Sequence, residues 1–285
     1  MSMSSTETSS RAAPTVHVRT GRVTSKDGTV IVYDRVGQGP PLILVFGALC
    51  SRALGPGGAL SALLAEHFTV YNYDRRGRGE SVESKPYAVA RELEDLEALL
   101  AEAGGSAYVY GHSSGALLAL CTAQQSLAIT KLALYEAPLI VDDTKPSTAA
   151  LWDQIDAFIA EGRRADAVKV FLKMVGMPAF AIAVMRWLPV WAKVTAVAHT
   201  LPYDGALTRD LQQGTPIPSG AWAKVNAPVL GLSGRKSPTW MRNGMRALVK
   251  ALRAAELHSL PGQTHDVSAK ALAPVLRAFF ERAAS

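Results

Sequence analysis

The stretch Val109-Tyr110-Gly111-His112-Ser113-Ser114-Gly115-Ala116 decides the fold. It carries G-x-S-x-G at Gly111, Ser113 and Gly115, with a strand-like apolar run at 107–110 before it and a helix-like run at 116–125 after it. Glycine and serine are common, and the string alone could be an ordinary turn. The flanking strand and helix turn it into a specific geometry, a serine held on a sharp, strained strand-to-helix corner. The glycines let neighbouring backbone approach without a Cβ clash. The hydroxyl then stands clear of the sheet at the N-terminus of a helix, where the helix dipole favours negative charge.

Outward from this corner, strand and helix patterns alternate, which predicts a mostly parallel sheet covered on both faces. Strands are expected at 16–20, 30–33, 41–46, 69–73, 107–110 and 131–135, with Lys26-Asp27-Gly28 turning the first hairpin. Helices are expected at 59–66 and 89–103, the second with Val89, Leu93, Leu96 and Leu100 on one face and a Gly104-Gly105 stop. From 142 to 222 the alternation gives way to short helical patterns broken by prolines. It resumes with a strand at 228–232, a helix at 241–254, a strand at 256–260 and a helix at 273–282. The expected organisation is a disordered tail at 1–14, an α/β core at 15–141 and 223–285, and a helical cap at 142–222.

Composition narrows the possibilities. Hydrophobic residues make up 48% of the 285 and charged residues 19%, enough apolar material for a large core. The net charge of +6 is scattered and contains no long basic run, so nucleic acid is not an expected partner. Cys50 and Cys121 do not form a disulfide framework, and residues 1–14 lack the apolar core of a signal peptide; a reducing, cytoplasmic setting is expected. The longest apolar stretch, at 179–188, is too short and interrupted to span a bilayer. H-E-x-x-H, clustered Cys/His and Walker-type patterns are missing, so neither metal nor nucleotide cofactor is implied.

Four segments together resemble the α/β-hydrolase fold: Phe46-Gly47-Ala48, the run Tyr73-Asp74-Arg75-Arg76-Gly77-Arg78-Gly79-Glu80-Ser81, the Ser113 corner, and Leu260-Pro261-Gly262-Gln263-Thr264-His265-Asp266. The resemblance covers residues 16–283 and implies an eight-stranded sheet with an inserted helical cap. It implies Ser113 as nucleophile and His265, after the last strand, as the base that takes its proton. The Ser114 and Ala48 backbone N–H groups are the implied oxyanion donors, with Phe46 standing where relatives often carry histidine. His112, beside the serine, is expected to point away from it as a structural residue. Asp74 and Arg76 are expected to brace their loop rather than to bind metal or phosphate.

The acid of the implied triad is less direct. The family usually offers an aspartate near Ser237, but no carboxylate occurs between Val229 and Ala255. Some relatives carry it after the sixth strand, which points to Glu136; Asp142, Asp143 or no acid at all are the alternatives.

The expected substrate is a small apolar ester, thioester or lactone, because the cap is rich in Met and aromatic residues and poor in convergent charge. Met177, Trp187, Leu139 and Trp240 are the candidate pocket residues. Two rival readings use the same residues: C–C bond hydrolysis or cyclisation, and a ligand-binding protein with a degenerate triad. The chain is expected to act as a monomer or homodimer.

Overall fold

The computed structural model describes residues 17–283. The expected tail at 1–14 and the first residue of the expected first strand lie outside them. Eight strands form one sheet: β1 (Arg19–Thr24), β2 (Val30–Val36), β3 (Pro41–Val45), β4 (Thr69–Tyr73), β5 (Ala107–His112), β6 (Ile129–Tyr135), β7 (Val229–Gly234) and β8 (Ala255–Leu260). Their spatial order is β1-β2-β4-β3-β5-β6-β7-β8, antiparallel at β1-β2 and β2-β4 and parallel from there on.

Alternation along the strands sorts side chains to the two faces of the sheet. Ile43 and Val45 of β3, Val109 of β5 and Leu132 and Leu134 of β6 enter one core layer. There they meet Leu93 and Leu96 of α2 (Val89–Glu102), Leu117 of α3 (Ser114–Ala123) and Met245 and Leu248 of α9 (Thr239–Ala251). The intervening Leu42, Leu44, Tyr110, Ala133 and Tyr135 enter the opposite layer, under α1 (Gly57–Leu64) and α10 (Ala269–Phe280). Each fully buried Leu, Ile or Val contributes about 1.5–3 kcal/mol over its exposed state, which makes these two layers the main source of cohesion.

Between β6 and β7 the chain forms five α-helices, α4 (Ala149–Ala160), α5 (Arg164–Met174), α6 (Ala179–Met185), α7 (Pro189–Ala196) and α8 (Leu201–Thr208), and two short 3-10 turns, Ala198–Thr200 and Arg209–Leu211. Prolines set the breaks, Pro178 just ahead of α6, Pro189 at the first position of α7 and Pro202 in the first turn of α8, where a missing N–H is harmless. These helices share a core of their own around Trp152, Ile155, Val168, Leu172 and Leu201. Leu49, with Ala48 packed beside it, belongs to that same cluster, so the insert rests directly on the loop after β3.

The structure departs from the sequence reading at several element ends: β1, β2, β6 and α10 each run past an expected bound, and the largest consequences are at β1 and the corner. β1 begins at Arg19 rather than at residue 16. It is an edge strand held by main-chain pairing to β2, so its span is not marked by apolar residues. α3 starts at Ser114 rather than 116; Ser and Gly are weak helix formers, and the tight corner imposes the helical start on them.

Candidate active site

The corner holds Ser113 at φ 56° and ψ −130°, a backbone state that disfavours any residue with a Cβ. Close approach explains the glycines. A Cβ on Gly111 would meet the Ala116 Cα at 2.5 Å, and one on Gly115 would meet the Val45 carbonyl oxygen at 2.3 Å. Ser113 is partly exposed, while Ser114 behind it is buried.

Glu136 follows the last residue of β6, at φ 46° and with no solvent exposure. Its Oε1 accepts the Gly234 N–H at 2.7 Å, and its Oε2 lies 2.9 Å from His265 Nδ1. A carboxylate on Nδ1 favours the tautomer that carries its proton there and leaves Nε2 as the acceptor. His265 itself is partly exposed, its side chain 28% accessible.

The loop that carries His265 is held from two sides. The Tyr135 hydroxyl donates to the Thr264 carbonyl at 2.5 Å, and the Lys236 N–H donates to the Gln263 carbonyl at 2.9 Å. A Cβ on Gly234 would strike that Gln263 carbonyl at 2.5 Å, so glycine at the end of β7 lets the histidine loop close down. Ser113 N–H donates to Tyr135 O at 2.9 Å, which sets the serine backbone beside Glu136. No direct hydrogen bond joins Ser113 Oγ to His265, a contact that commonly tightens only with substrate bound.

His112 ends β5, and its ring packs beside that of His265. Its ring centroid is 5.0 Å from that of His265, edge to face. Burial, and then the neighbouring His265, hold its imidazole well below the ordinary range, so it sits neutral beneath the site. Cys50, in the same loop system, has its thiol pushed up by burial to about 11 and stays protonated at neutral pH.

Gly47 sits against the serine: a Cβ there would be 2.8 Å from the Ser113 Cβ. The next residue, Ala48, takes no main-chain acceptor for its N–H among the described residues. Ser114 is the first residue of α3, where an N–H has no intrahelical partner. The two N–H groups singled out from sequence therefore border Ser113 from the β3 loop and from the helix start.

A buried ionic cluster fixes that border. Asp204 of α8 accepts Arg75 Nη1 at 2.8 Å, Arg78 Nη2 at 2.7 Å and the Ser114 hydroxyl at 2.7 Å. Arg78 also donates to the Gly47 carbonyl at 2.6 Å, and Arg75 pairs with Glu92 at 2.6 Å. Burial alone would raise the Asp204 carboxyl, but Arg78 and Arg75 hold it below the usual carboxylate range. One insert side chain thus ties together the serine's following residue and the loop that bears Ala48. Sequence reasoning did not find it. The available signal was that Asp204 is the sole carboxylate between residues 167 and 209, set against three closely spaced arginines.

Asp74 and Arg76 act as braces. Asp74 accepts the Arg52 N–H at 2.6 Å and Arg52 Nε at 2.9 Å, and Arg76 pairs with Asp95 at 2.6 Å. The alternative acids lie elsewhere: Asp142 accepts from Thr144 and Asn243, and Asp143 is exposed. Among the described residues no group of three or more His, Cys, Asp or Glu could hold a metal ion.

The pocket residues expected from sequence separate. Met177 is half-buried against the core of the insert. Trp187 is 90% exposed, because α6 and α7 bend apart at its position and leave it no partner layer. Leu139 is 1% exposed and packs on Gly244, too enclosed to line an accessible pocket. Trp240 is buried with Ile140 and Met241, and the Lys145 ammonium lies 4.1 Å from its ring centroid.

Residues 46–278 match the model of the alpha/beta hydrolase family. The chain belongs to that family. Among solved structures, an alpha/beta hydrolase from Sphaerobacter thermophilus DSM 20745 is 46% identical, with a TM-score of 0.84 over 91% of this chain and 100% of that one. The esterase RhEst1 from Rhodococcus sp. ECU1013 is 20% identical, with a TM-score of 0.67 over 92% of this chain and 98% of its own. The 2-hydroxy-6-oxo-6-phenylhexa-2,4-dienoate hydrolase from Rhodococcus sp. strain RHA1 is also 20% identical, with a TM-score of 0.66 over 94% and 100%. At that identity the two Rhodococcus proteins share the fold with this alpha/beta hydrolase.

Proposed function

We propose that this alpha/beta hydrolase is a cofactor-independent serine hydrolase that cleaves an ester, thioester or lactone of a small apolar substrate through an acyl-enzyme. The observation that carries the reading is the 2.9 Å contact between His265 Nδ1 and the fully buried Glu136, next to the strained Ser113. With Nδ1 engaged, Nε2 takes the Ser113 proton as Oγ attacks the substrate carbonyl. Glu136 stabilises the imidazolium that results. The Ser114 and Ala48 N–H groups donate to the oxyanion, each lowering the barrier by about 3 kcal/mol when well aligned. The imidazolium protonates the leaving group, and His265 then activates the water that releases the acid.

The helices between β6 and β7 act as a cap over this site, with Met177 among the side chains that meet the substrate. Leu49 in the insert's core supports that placement, since it neighbours the oxyanion loop. The sequence-based case for a degenerate binding protein was the missing acid after β7, and the 2.9 Å contact of Glu136 with His265 favours the hydrolase reading over it.

A fluorophosphonate probe tests the reading. Wild-type protein should label at Ser113, and Ser113→Ala should lose labelling and at least about 10³ in kcat on p-nitrophenyl esters, with an unchanged circular dichroism spectrum. Wild type that resists the probe, or labelling that persists in Ser113→Ala, overturns it.

A further inference from the structure

The insert carries an apolar surface that the chemistry above does not use. Phe180 is 75% exposed, Val184 59%, Trp187 90% and Leu188 50%. Phe180 and Val184 are four residues apart on α6 and so share a face. Trp187 and Leu188 lie in the turn that joins α6 to α7 and continue that face. Scattered exposed apolar residues are ordinary, but four large ones within nine residues form a patch that marks an interaction site.

Charge selects the occupant. Arg186 in the turn and Lys193 on α7 are both exposed. From residue 167 to 203 the sequence has four cations, Lys169, Lys173, Arg186 and Lys193, and no Asp or Glu. Lys169 is answered by Asp166 at 3.0 Å, but a second copy docked by two-fold symmetry would set Arg186 and Lys193 against their own equivalents with no carboxylate beside them. An anionic surface is the complement. Tryptophan beside arginine and lysine on an apolar face is the composition that lodges at a lipid–water boundary. No single described helix is long and apolar enough to cross a membrane; α6 and α7 together are apolar enough but meet at 98°, a shape for lying on a surface.

We propose that the outer face of α6 and α7 docks on an anionic lipid surface, with Phe180, Val184, Trp187 and Leu188 entering the interface and Arg186 and Lys193 meeting the headgroups. The buried face of the same helices belongs to the cluster that holds Leu49, so the docked side lies on the insert that packs against the oxyanion loop. The proposal is independent of the catalytic reading, since none of its residues acts in it.

Vesicle binding by the full chain tests it. At low salt the protein should co-sediment with equimolar phosphatidylglycerol and phosphatidylcholine vesicles, about tenfold or more tightly than with phosphatidylcholine alone. Its tryptophan emission should shift to the blue, because Trp152, Trp222 and Trp240 are already buried and Trp191 packs in part against the insert's core, which leaves Trp187 as the exposed one that changes surroundings. Trp187→Phe should remove most of the shift, and Phe180→Ser with Trp187→Ser should abolish sedimentation. Arg186→Glu with Lys193→Glu should remove the preference for the anionic vesicles; it touches no apolar contact and keeps the test intact where the serine pair lowers Tm. No sedimentation with either vesicle, or equal binding to both, overturns the proposal. So does a dimer in light scattering that Trp187→Ser dissociates, which would make a second copy the occupant.

Discussion

Glu136 and Asp204 are both fully withdrawn from water, and both border the residues around Ser113, yet their surroundings differ in kind. Glu136 faces an imidazole that reaches solvent and one main-chain N–H. Asp204 faces two guanidinium groups that never release a proton, plus the Ser114 hydroxyl. A buried acid paired with a group that gains and loses a proton can serve a reaction. A buried acid paired with permanent charge can only hold parts together. Burial is the same on both sides of the serine; the partner's capacity for proton exchange separates the role proposed for Glu136 from that of Asp204.

Neutralising each acid without changing its shape is the most direct way to break this contrast. Glu136→Gln should lower kcat by about 10²–10⁴ while Tm moves little, because a neutral partner no longer favours the catalytic tautomer. An equal loss in Asp143→Asn, or near-wild-type activity in Glu136→Gln, would leave the contrast without its catalytic half. Asp204→Asn should do the reverse. Leaving Arg75 and Arg78 short of a buried counter-charge should destabilise the fold by about 3–5 kcal/mol. Thermal unfolding should show that as a Tm drop of about 10 °C, with a smaller loss of kcat in assays well below the new Tm.

The smallest effect is in acid. The Asp204 carboxyl is held below its ordinary value by Arg78 and Arg75 against the opposing pull of burial. A depressed folded-state value means its contribution is complete above the unfolded value, about pH 4, and fades as pH falls toward the folded one. Urea midpoints measured from neutral pH downward should therefore fall less steeply below pH ~4 in Asp204→Asn than in wild type. Glu92, also held low by Arg75 against its burial, keeps some slope in both. Identical slopes would mean that Asp204 is not ionised in the way its partners imply.

Legibility followed the range of the interactions. The serine corner, the alternation of core elements and the histidine loop could be read because each is written in contiguous residues under local constraint. β4 begins and ends where the sequence reading set it, at Thr69 and Tyr73, and all five of its residues are buried. The contact of Glu136 with His265 was reachable by a weaker route, from the lack of any carboxylate between Val229 and Ala255 and the resemblance to relatives that carry an acid after the sixth strand. Asp204 was harder to reach because its partners are 90 or more residues away, and the one signal was its isolation as the sole carboxylate from 167 to 209. Trp187 misled for a related reason: aromatic content in a helical stretch says that a side chain is large, while which layer covers it is decided by the 98° bend between α6 and α7. Leu139 misled in the opposite sense, swallowed by the approach of Gly244.

Leu49, Ser113 and Glu136 are the three non-glycine residues with left-handed φ among those described, at 60°, 56° and 46°. Each such position costs about 1–3 kcal/mol, and glycine would sit in any of them at ease. In evolutionary terms glycine is a point mutation away from every glutamate codon, yet relief of the backbone is set against what each side chain does: Leu49 fills a place in the insert's core and Glu136 holds the buried Gly234 N–H. Ser113, partly exposed, is the position of the three where glycine would relieve the backbone without emptying a buried place. This sequence has glycine at none of them, and the strained backbone that remains is concentrated around one serine.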